Sequence, residues 1–246
     1  TRSKASREPA SGPAPAPLKI SPVTEAMLRN PDPGSWLMWR GNHSAWQHSA
    51  LKQITPGNVK QLRLVWSRGM GPGSNEAMPL VHDGIMFLTN PSDITQALDA
   101  TNGDLKWEYR RAVPDDIGKY FPDPTTNRSL AIFGKLIFDS GLDNYSYALD
   151  AETGKLVWET KVLDYRKGAK ASSGPSIAHG KLISTRGCEP EGGPDACVIV
   201  AHDPATGNEL WRTRTIPRPG EPGSESWADI PDAERHTIGI LTDFPQ

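Results

Sequence analysis

"YALDAETGKLVW" spans residues 147–158 and reads as a hairpin: an alternating strand, a turn, and a second strand that ends in tryptophan. The same pattern stands upstream as "QALDATNGDLKW" (96–107) and downstream as "VAHDPATGNELW" (200–211). Asp99, Asp150 and Asp203 each precede Trp107, Trp158 and Trp211 by eight residues, and Gly103, Gly154 and Gly207 each follow their Asp by four. The tryptophans lie 51 and 53 residues apart, with Trp66 another 41 residues upstream. Recurrence at this period marks a supersecondary unit used repeatedly.

Each unit divides into four short strands. The second offers "SLAIF", "KLIFDS", "YSYALD" and "KLVWETK"; the first offers "MPLVH", "IMFLT", "ITQALDA" and "DLKWEYR". The third offers "PSIA", "KLIST", "CVIVAHD" and "ELWRTRT", with "RGCEPEGGPDA" inserted between its second and third strands. Four short antiparallel strands per unit make the blade of a β-propeller. The glycine supplies the left-handed residue that the turn needs, and the aspartate can accept bonds from turn amides. The indole suits the seam between neighbouring blades, since no blade buries both faces alone. The expected fold is therefore all-β: a partial β-propeller of about three four-stranded antiparallel blades, over residues 76–110, 128–161 and 172–215. The Gly-His…Trp-Asp signature of WD repeats is missing.

Composition agrees. Twenty-three Gly and 23 Pro in 246 residues punctuate many short strands rather than long helices. A net charge of −2 leaves no electrostatic footprint for nucleic acid, and no apolar run is long enough to cross a bilayer. Residues 1–34, with "SGPAPAP" at 11–17, are expected to form a polar, extended lead-in that is disordered at its start, followed by the propeller over 35–246. A turn or short helix is expected around Pro56 to Lys60, and a strand through Leu62, Leu64 and Trp66. Cys188 and Cys197 stand nine residues apart around Gly192, Gly193 and Pro194. A disulfide in an oxidising compartment and two isolated thiols in a cytosolic protein are both open readings. The first residue is Thr1, which reads as a leader already removed or as a fragment.

The pattern A-x-D-x-x-T/N-G-x-x-x-W resembles the tryptophan-docking repeat of the quinoprotein dehydrogenases, eight-bladed propellers that carry pyrroloquinoline quinone (PQQ). "MWRGNHSAWQHSALKQITPGNVKQLRLVWS" (38–67) and "GEPGSESWADIP" (220–231) are similar to segments of the alcohol dehydrogenases of that family. The resemblance covers about residues 36–236. It implies a periplasmic PQQ- and Ca²⁺-dependent enzyme that oxidises a small alcohol, moving a hydride equivalent to the quinone. It also implies an electron acceptor such as a cytochrome c.

The family's site residues carry over position by position. Glu76 in "SNEAMPL" matches a cofactor-contacting glutamate, and Arg128 in "TTNRS" matches an arginine on the quinone. Ser172 stands where the family has a cofactor-binding threonine. Gly187, Cys188 and Glu189 in "RGCE" match a turn whose glutamate binds the calcium, and Arg186 replaces a small residue beside the cofactor. These roles are chemically coherent, because a cation and a guanidinium polarise quinone oxygens and calcium takes hard oxygen ligands. An adjacent cysteine pair frequent in the family is absent, with "FPDPTTNR" in its loop, and one reading is that a Cys188–Cys197 bridge takes over its covering role. The family's general-base aspartate, a second calcium ligand and a floor tryptophan come from later blades, beyond "LTDFPQ". The competing expectation is a non-catalytic propeller that binds protein partners, which would not need Glu76, Arg128 and Glu189 together.

Overall fold

The computed structural model describes residues 18–121, 128–167, 169–171, 173–187, 197–215, 217 and 221–231. Three four-stranded antiparallel sheets follow one another along the chain. The first comprises β1 (Leu80–His82), β2 (Ile85–Asn90), β3 (Ile94–Asp99) and β4 (Leu105–Arg110). The second comprises β5 (Ala131–Phe133), β6 (Leu136–Ser140), β7 (Tyr145–Asp150) and β8 (Leu156–Lys161). The third comprises β9 (Ser176–Ala178), β10 (Lys181–Arg186), β11 (Val198–His202) and β12 (Glu209–Arg214). Each sheet is a meander in which every strand pairs with the next. These are the three blades read from the repeat.

The repeat residues have the same geometry three times over. The amides of Gly103, Gly154 and Gly207 donate to the carbonyls of Asp99, Asp150 and Asp203 at 2.8 Å. Their φ angles are +76°, +70° and +74°, a region where glycine avoids the Cβ clash. The carboxylates of Asp99, Asp150 and Asp203 accept from Thr101, Thr153 and Thr206 backbone amides, closing the turns. In the ladders Ala97, Ala148 and Ala201 stand opposite Trp107, Trp158 and Trp211, and a bulge follows at once in each blade. A small residue there leaves room for the indole.

Each tryptophan then leaves its own blade. A Cβ on Gly154 would meet Trp107 at 2.6 Å, and one on Gly207 would meet Trp158 at 2.5 Å. The indole N–H of Trp107 donates to the Ala151 carbonyl and that of Trp158 to the Pro204 carbonyl, both at 2.9 Å. The indoles therefore lie flat on the next blade's turn, which fixes blade order and spacing. One hydrophobic cluster runs through all three sheets, from Leu80 and Phe87 through Ile132, Phe138 and Leu149 to Ile177 and Leu182. Blade 2 has neighbours on both sides, and four consecutive residues of β7 are buried; β10 of blade 3 alternates buried and half-buried.

Two expectations need correction. Residues 1–17, where disorder was expected, lie outside the described residues, and residues 18–34 are not an extended lead-in but a strap across the first turns of all three blades. Ser21 donates to Asp83 at 2.7 Å in blade 1, Val23 bridges Gly134 in blade 2, and Glu25 accepts from His179 and Gly180 in blade 3. Val23 and the Leu28 of helix α1 (Glu25–Arg29) are buried in the core, so apolar burial outweighs the Pro/Ala composition. Residues 62–66 form no ladder among the described residues; the segment has a 3-10 turn at Val59–Gln61 and then leaves regular structure.

Candidate functional site

In each blade the first strand is entered from the same end. Glu76 stands four residues before β1, Arg128 three before β5 and Ser173 three before β9. Because β10 runs antiparallel to β9, its last residues return to that end. Entry segments of three consecutive blades thus converge, and they line one cleft of about 370 Å³ together with Ile183, Thr185 and Trp39. A cleft of that size at converging strand ends can hold a small planar ligand.

Glu76 and Arg128 form an ion pair inside this cleft. Their loops are pinned by local chemistry. Asn75 donates to the Thr89 carbonyl at 2.7 Å and accepts from Ala77 N at 2.8 Å. The Thr89 hydroxyl donates to the Arg128 carbonyl at 3.0 Å, tying blade 1 to the entrance of blade 2. Ser173 and Thr185 share a hydroxyl hydrogen bond of 2.8 Å across the cleft's third side. Gly174 lies so close to the Ser129 carbonyl that any Cβ would overlap it, so blades 2 and 3 meet backbone to backbone under the cleft. His43 contacts the Ile177 carbonyl at 3.2 Å, which holds the preceding loop with Trp39 against blade 3.

The cleft is therefore an Arg–Glu pair ringed by the hydroxyls of Ser129, Ser173, Ser176 and Thr185. Such a ring donates hydrogen bonds to anionic or carbonyl oxygens. Glu76 and Arg128, expected from the sequence, line this cleft, and Ser129, Ser173, Thr185 and Trp39, which were not expected, line it too. The hydroxyls flank named positions and carry no signal of their own, since serine beside a strand is ordinary turn chemistry.

Arg186, expected beside the cofactor, does not line this cleft. Along β10 the side chains alternate: Thr185 lines the cleft, while Leu182 packs into the shared hydrophobic cluster and Arg186 reaches blade 2. Arg186 is buried, with its guanidinium on the Thr185 carbonyl at 2.9 Å and the Ser146 hydroxyl at 3.2 Å. Burial, and Arg212 beyond it, lower its pKa to about 10 although Asp143 acts the other way. Gly187 ends the strand in a bridge to Lys170, whose carbonyl accepts from its amide at 2.7 Å. Ser172, Cys188 and Glu189 lie outside the described residues. Cys197 is buried and disulfide-bonded.

A second polar cluster joins blades 1 and 2 further out. Arg111 grips Asp143 through two nitrogens, at 2.7 and 3.1 Å, and Glu159 at 2.8 Å, while stacking near Tyr145 and Tyr147. The buried Asp93 accepts from Leu142 N at 2.8 Å. Burial raises its pKa to about 7, with Asp143 adding to the rise, against Leu142 N–H and Arg111. No group of three or more His, Cys, Asp or Glu suited to a metal ion occurs among the described residues.

Consecutive four-stranded blades docked by tryptophan, with a polar cleft at the inner-strand ends, define a propeller of the tryptophan-docked repeat type. Residues 36–237 match the family "PQQ: Glucose/ethanol/alcohol dehydrogenase, beta-propeller domain", and the chain belongs to that family. Similar curated proteins include the quinoprotein alcohol dehydrogenase PedH of Pseudomonas putida, 37% identical over 69% of this chain and 28% of that protein. The 1-butanol dehydrogenase (cytochrome c) of Thauera butanivorans is 35% identical over 77% of this chain and 27% of that protein. Among solved structures, the quinohemoprotein alcohol dehydrogenase ADHIIG of Pseudomonas putida HK5 superposes with a TM-score of 0.73 at 30% identity. That match covers 80% of this chain and 29% of the other. The chain thus spans under a third of these relatives. No helix among the described residues is long and apolar enough to cross a membrane.

Proposed function

We propose that these three blades form one wall of a PQQ site in a periplasmic enzyme that oxidises an alcohol. The observation that carries this reading is the Glu76–Arg128 pair set among hydroxyls where three inner strands converge. PQQ is a planar polycarboxylate, and a guanidinium with several hydroxyl donors fits its rim. Similarity to a quinoprotein alcohol dehydrogenase and to a cytochrome c-linked butanol dehydrogenase supports the cofactor, the substrate class and the acceptor.

Bound PQQ would supply the two-electron acceptor for the hydride equivalent leaving the alcohol carbon. The chain's own residues bind and orient. Arg128 donates to a ligand oxygen and brings positive charge to where negative charge develops. Glu76 holds the guanidinium in register and offers a hard oxygen donor. Ser173 and Thr185 donate from the facing side, and Trp39 covers apolar ring surface. Calcium would take Glu189 as a ligand, and a bridge from Cys197 to Cys188 would brace the loop that carries Glu189. No described residue is assigned as the base.

Titration of the chain with PQQ, with and without Ca²⁺, tests this reading through tryptophan fluorescence and calorimetry. Saturable quenching, weakened at least tenfold by Arg128→Gln, is the expected result. Absence of saturable binding, or equal binding by the variant, would overturn it.

A further inference from the structure

A second cleft, of about 560 Å³, opens between blades 1 and 2 and shares no lining residue with the Glu76–Arg128 cleft. Tyr109 of β4 and Arg111 just beyond that strand form the blade 1 wall. Tyr145 of β7 and Glu159 and Lys161 of β8 form the blade 2 wall. The ladder explains the second wall, since Tyr145 stands opposite Lys161 and shares its face of the sheet. The 3-10 turn after β8, Tyr165–Lys167, adds Tyr165 and Arg166 to the lining.

The lining holds three cations, Arg111, Lys161 and Arg166, against two carboxylates, Asp143 and Glu159. Arg111 engages both carboxylates, donating to Asp143 at 2.7 Å and to Glu159 at 2.8 Å. Lys161 and Arg166 have only loose company. Lys161 stands 4.0 Å from Asp164 and Arg166 stands 3.6 Å from Asp116, and their side chains are 51% and 56% exposed. Both separations exceed a hydrogen bond. Asp116 is held more closely by the Tyr165 hydroxyl, which donates to it at 2.5 Å. The Tyr145 hydroxyl has no partner among the described residues. The capacity left over in the cleft is therefore mainly that of donors, which calls for an acceptor-only group. The rest of the lining is tyrosine ring and the 42% exposed Leu156, a setting for a flat apolar body.

We propose that this cleft binds an aryl carboxylate, with the ring against Tyr109, Tyr145 and Leu156 and the carboxylate accepting from Lys161 and Arg166. A single negative charge matches the excess of one cation in the lining, which a phosphate dianion would exceed. Lys161 and Arg166 exchange weak, exposed ion pairs for charge-assisted hydrogen bonds. Because the two walls belong to different blades, the bound acid ties blade 1 to blade 2 and stabilises the folded chain by mass action. The inference stands on this cleft and is independent of the cofactor reading.

Calorimetric titration of the 246-residue chain with benzoate tests this. Acetate carries the charge without the ring, and benzyl alcohol the ring without the charge. Benzoate should bind saturably and about tenfold more tightly than either. Ring-proton resonances of Tyr109 and Tyr145 should shift with the same midpoint. The double variant Lys161→Gln/Arg166→Gln should weaken benzoate binding about tenfold, the worth of a charge-assisted hydrogen bond. It should keep the melting temperature of the free chain, since both side chains end in solvent. Arg128→Gln should leave benzoate binding unchanged, which separates this cleft from the one assigned to PQQ. Absence of saturable binding would overturn the proposal, as would acetate or benzyl alcohol binding as tightly as benzoate. So would full benzoate affinity in the double variant, or its loss in Arg128→Gln.

Discussion

A methyl group on Gly154 would meet the Trp107 ring at 2.6 Å while forcing alanine to φ +70°. Left-handed backbone costs a residue with Cβ about 1 kcal/mol, and overpacking a tight contact adds about 1–3 kcal/mol. Gly154→Ala is therefore expected to lower stability by about 2–4 kcal/mol, read as a lower urea midpoint at constant slope. Asp93 makes a different prediction. Its folded pKa of about 7 lies above the unfolded value near 3.8, so the folded state keeps the proton longer. Its contribution is present below about pH 4 and is lost as pH rises towards 7. His202 acts in the opposite sense: burial first, with Arg186 and Arg212 adding, lowers its pKa to about 4, so the folded state stays neutral as the unfolded chain protonates. Between pH 4 and 6.5 the two slopes oppose. Asp93→Asn keeps an acceptor for Leu142 N–H and removes one slope, so its melting temperature relative to wild type should rise steadily from pH 4 to 7. A flat difference curve would show that Asp93 is ionised throughout.

The fourth strand of each blade carries most of the inter-blade coupling, and the degree differs along the array. Trp107 is 8% exposed with its N–H satisfied on blade 2, whereas Trp211 is 41% exposed. Trp107→Ala should cost about 3–5 kcal/mol, and Trp211→Ala under about 1 kcal/mol, compared by chemical denaturation. The strands themselves were legible because Asp, Gly and Trp sit within one hairpin, where local spacing states local geometry. The strap was not, since Ser21, Val23 and Glu25 find turns at Asp83, Gly134 and Gly180 that are distant in sequence. No periodicity encodes that path. The site divides in the same way. Glu76 and Arg128 could be read from resemblance because each precedes an inner strand. Arg186 could not be placed, because facing the cleft or the seam depends on strand parity, which one residue reverses. The expected strand at 62–66 had the right sequence but has no ladder partner among the described residues.

At the scale of the molecule, blades that touch only their neighbours should unfold as a loosely coupled line. The strap changes that, because residues 18–37 contact all three blades and bury Ile20, Val23, Leu28 and Leu37 in the shared cluster. It links blade 1 to blade 3 directly, through Ser21 on Asp83 and Glu25 on the amides of His179 and Gly180. Opening either outer blade must then break strap contacts that also hold the middle one. The full chain is expected to lose tryptophan fluorescence and far-UV circular dichroism in one coincident urea transition. Deleting residues 1–34 should separate the two signals and lower the apparent slope, because the blades would then open one after another. Blade 3 should open first, since Leu210 and Trp211 of its outer strand are already half exposed. Coincident transitions after the deletion would assign the cooperativity to the tryptophan seams alone, leaving the strap as added burial without a coupling role.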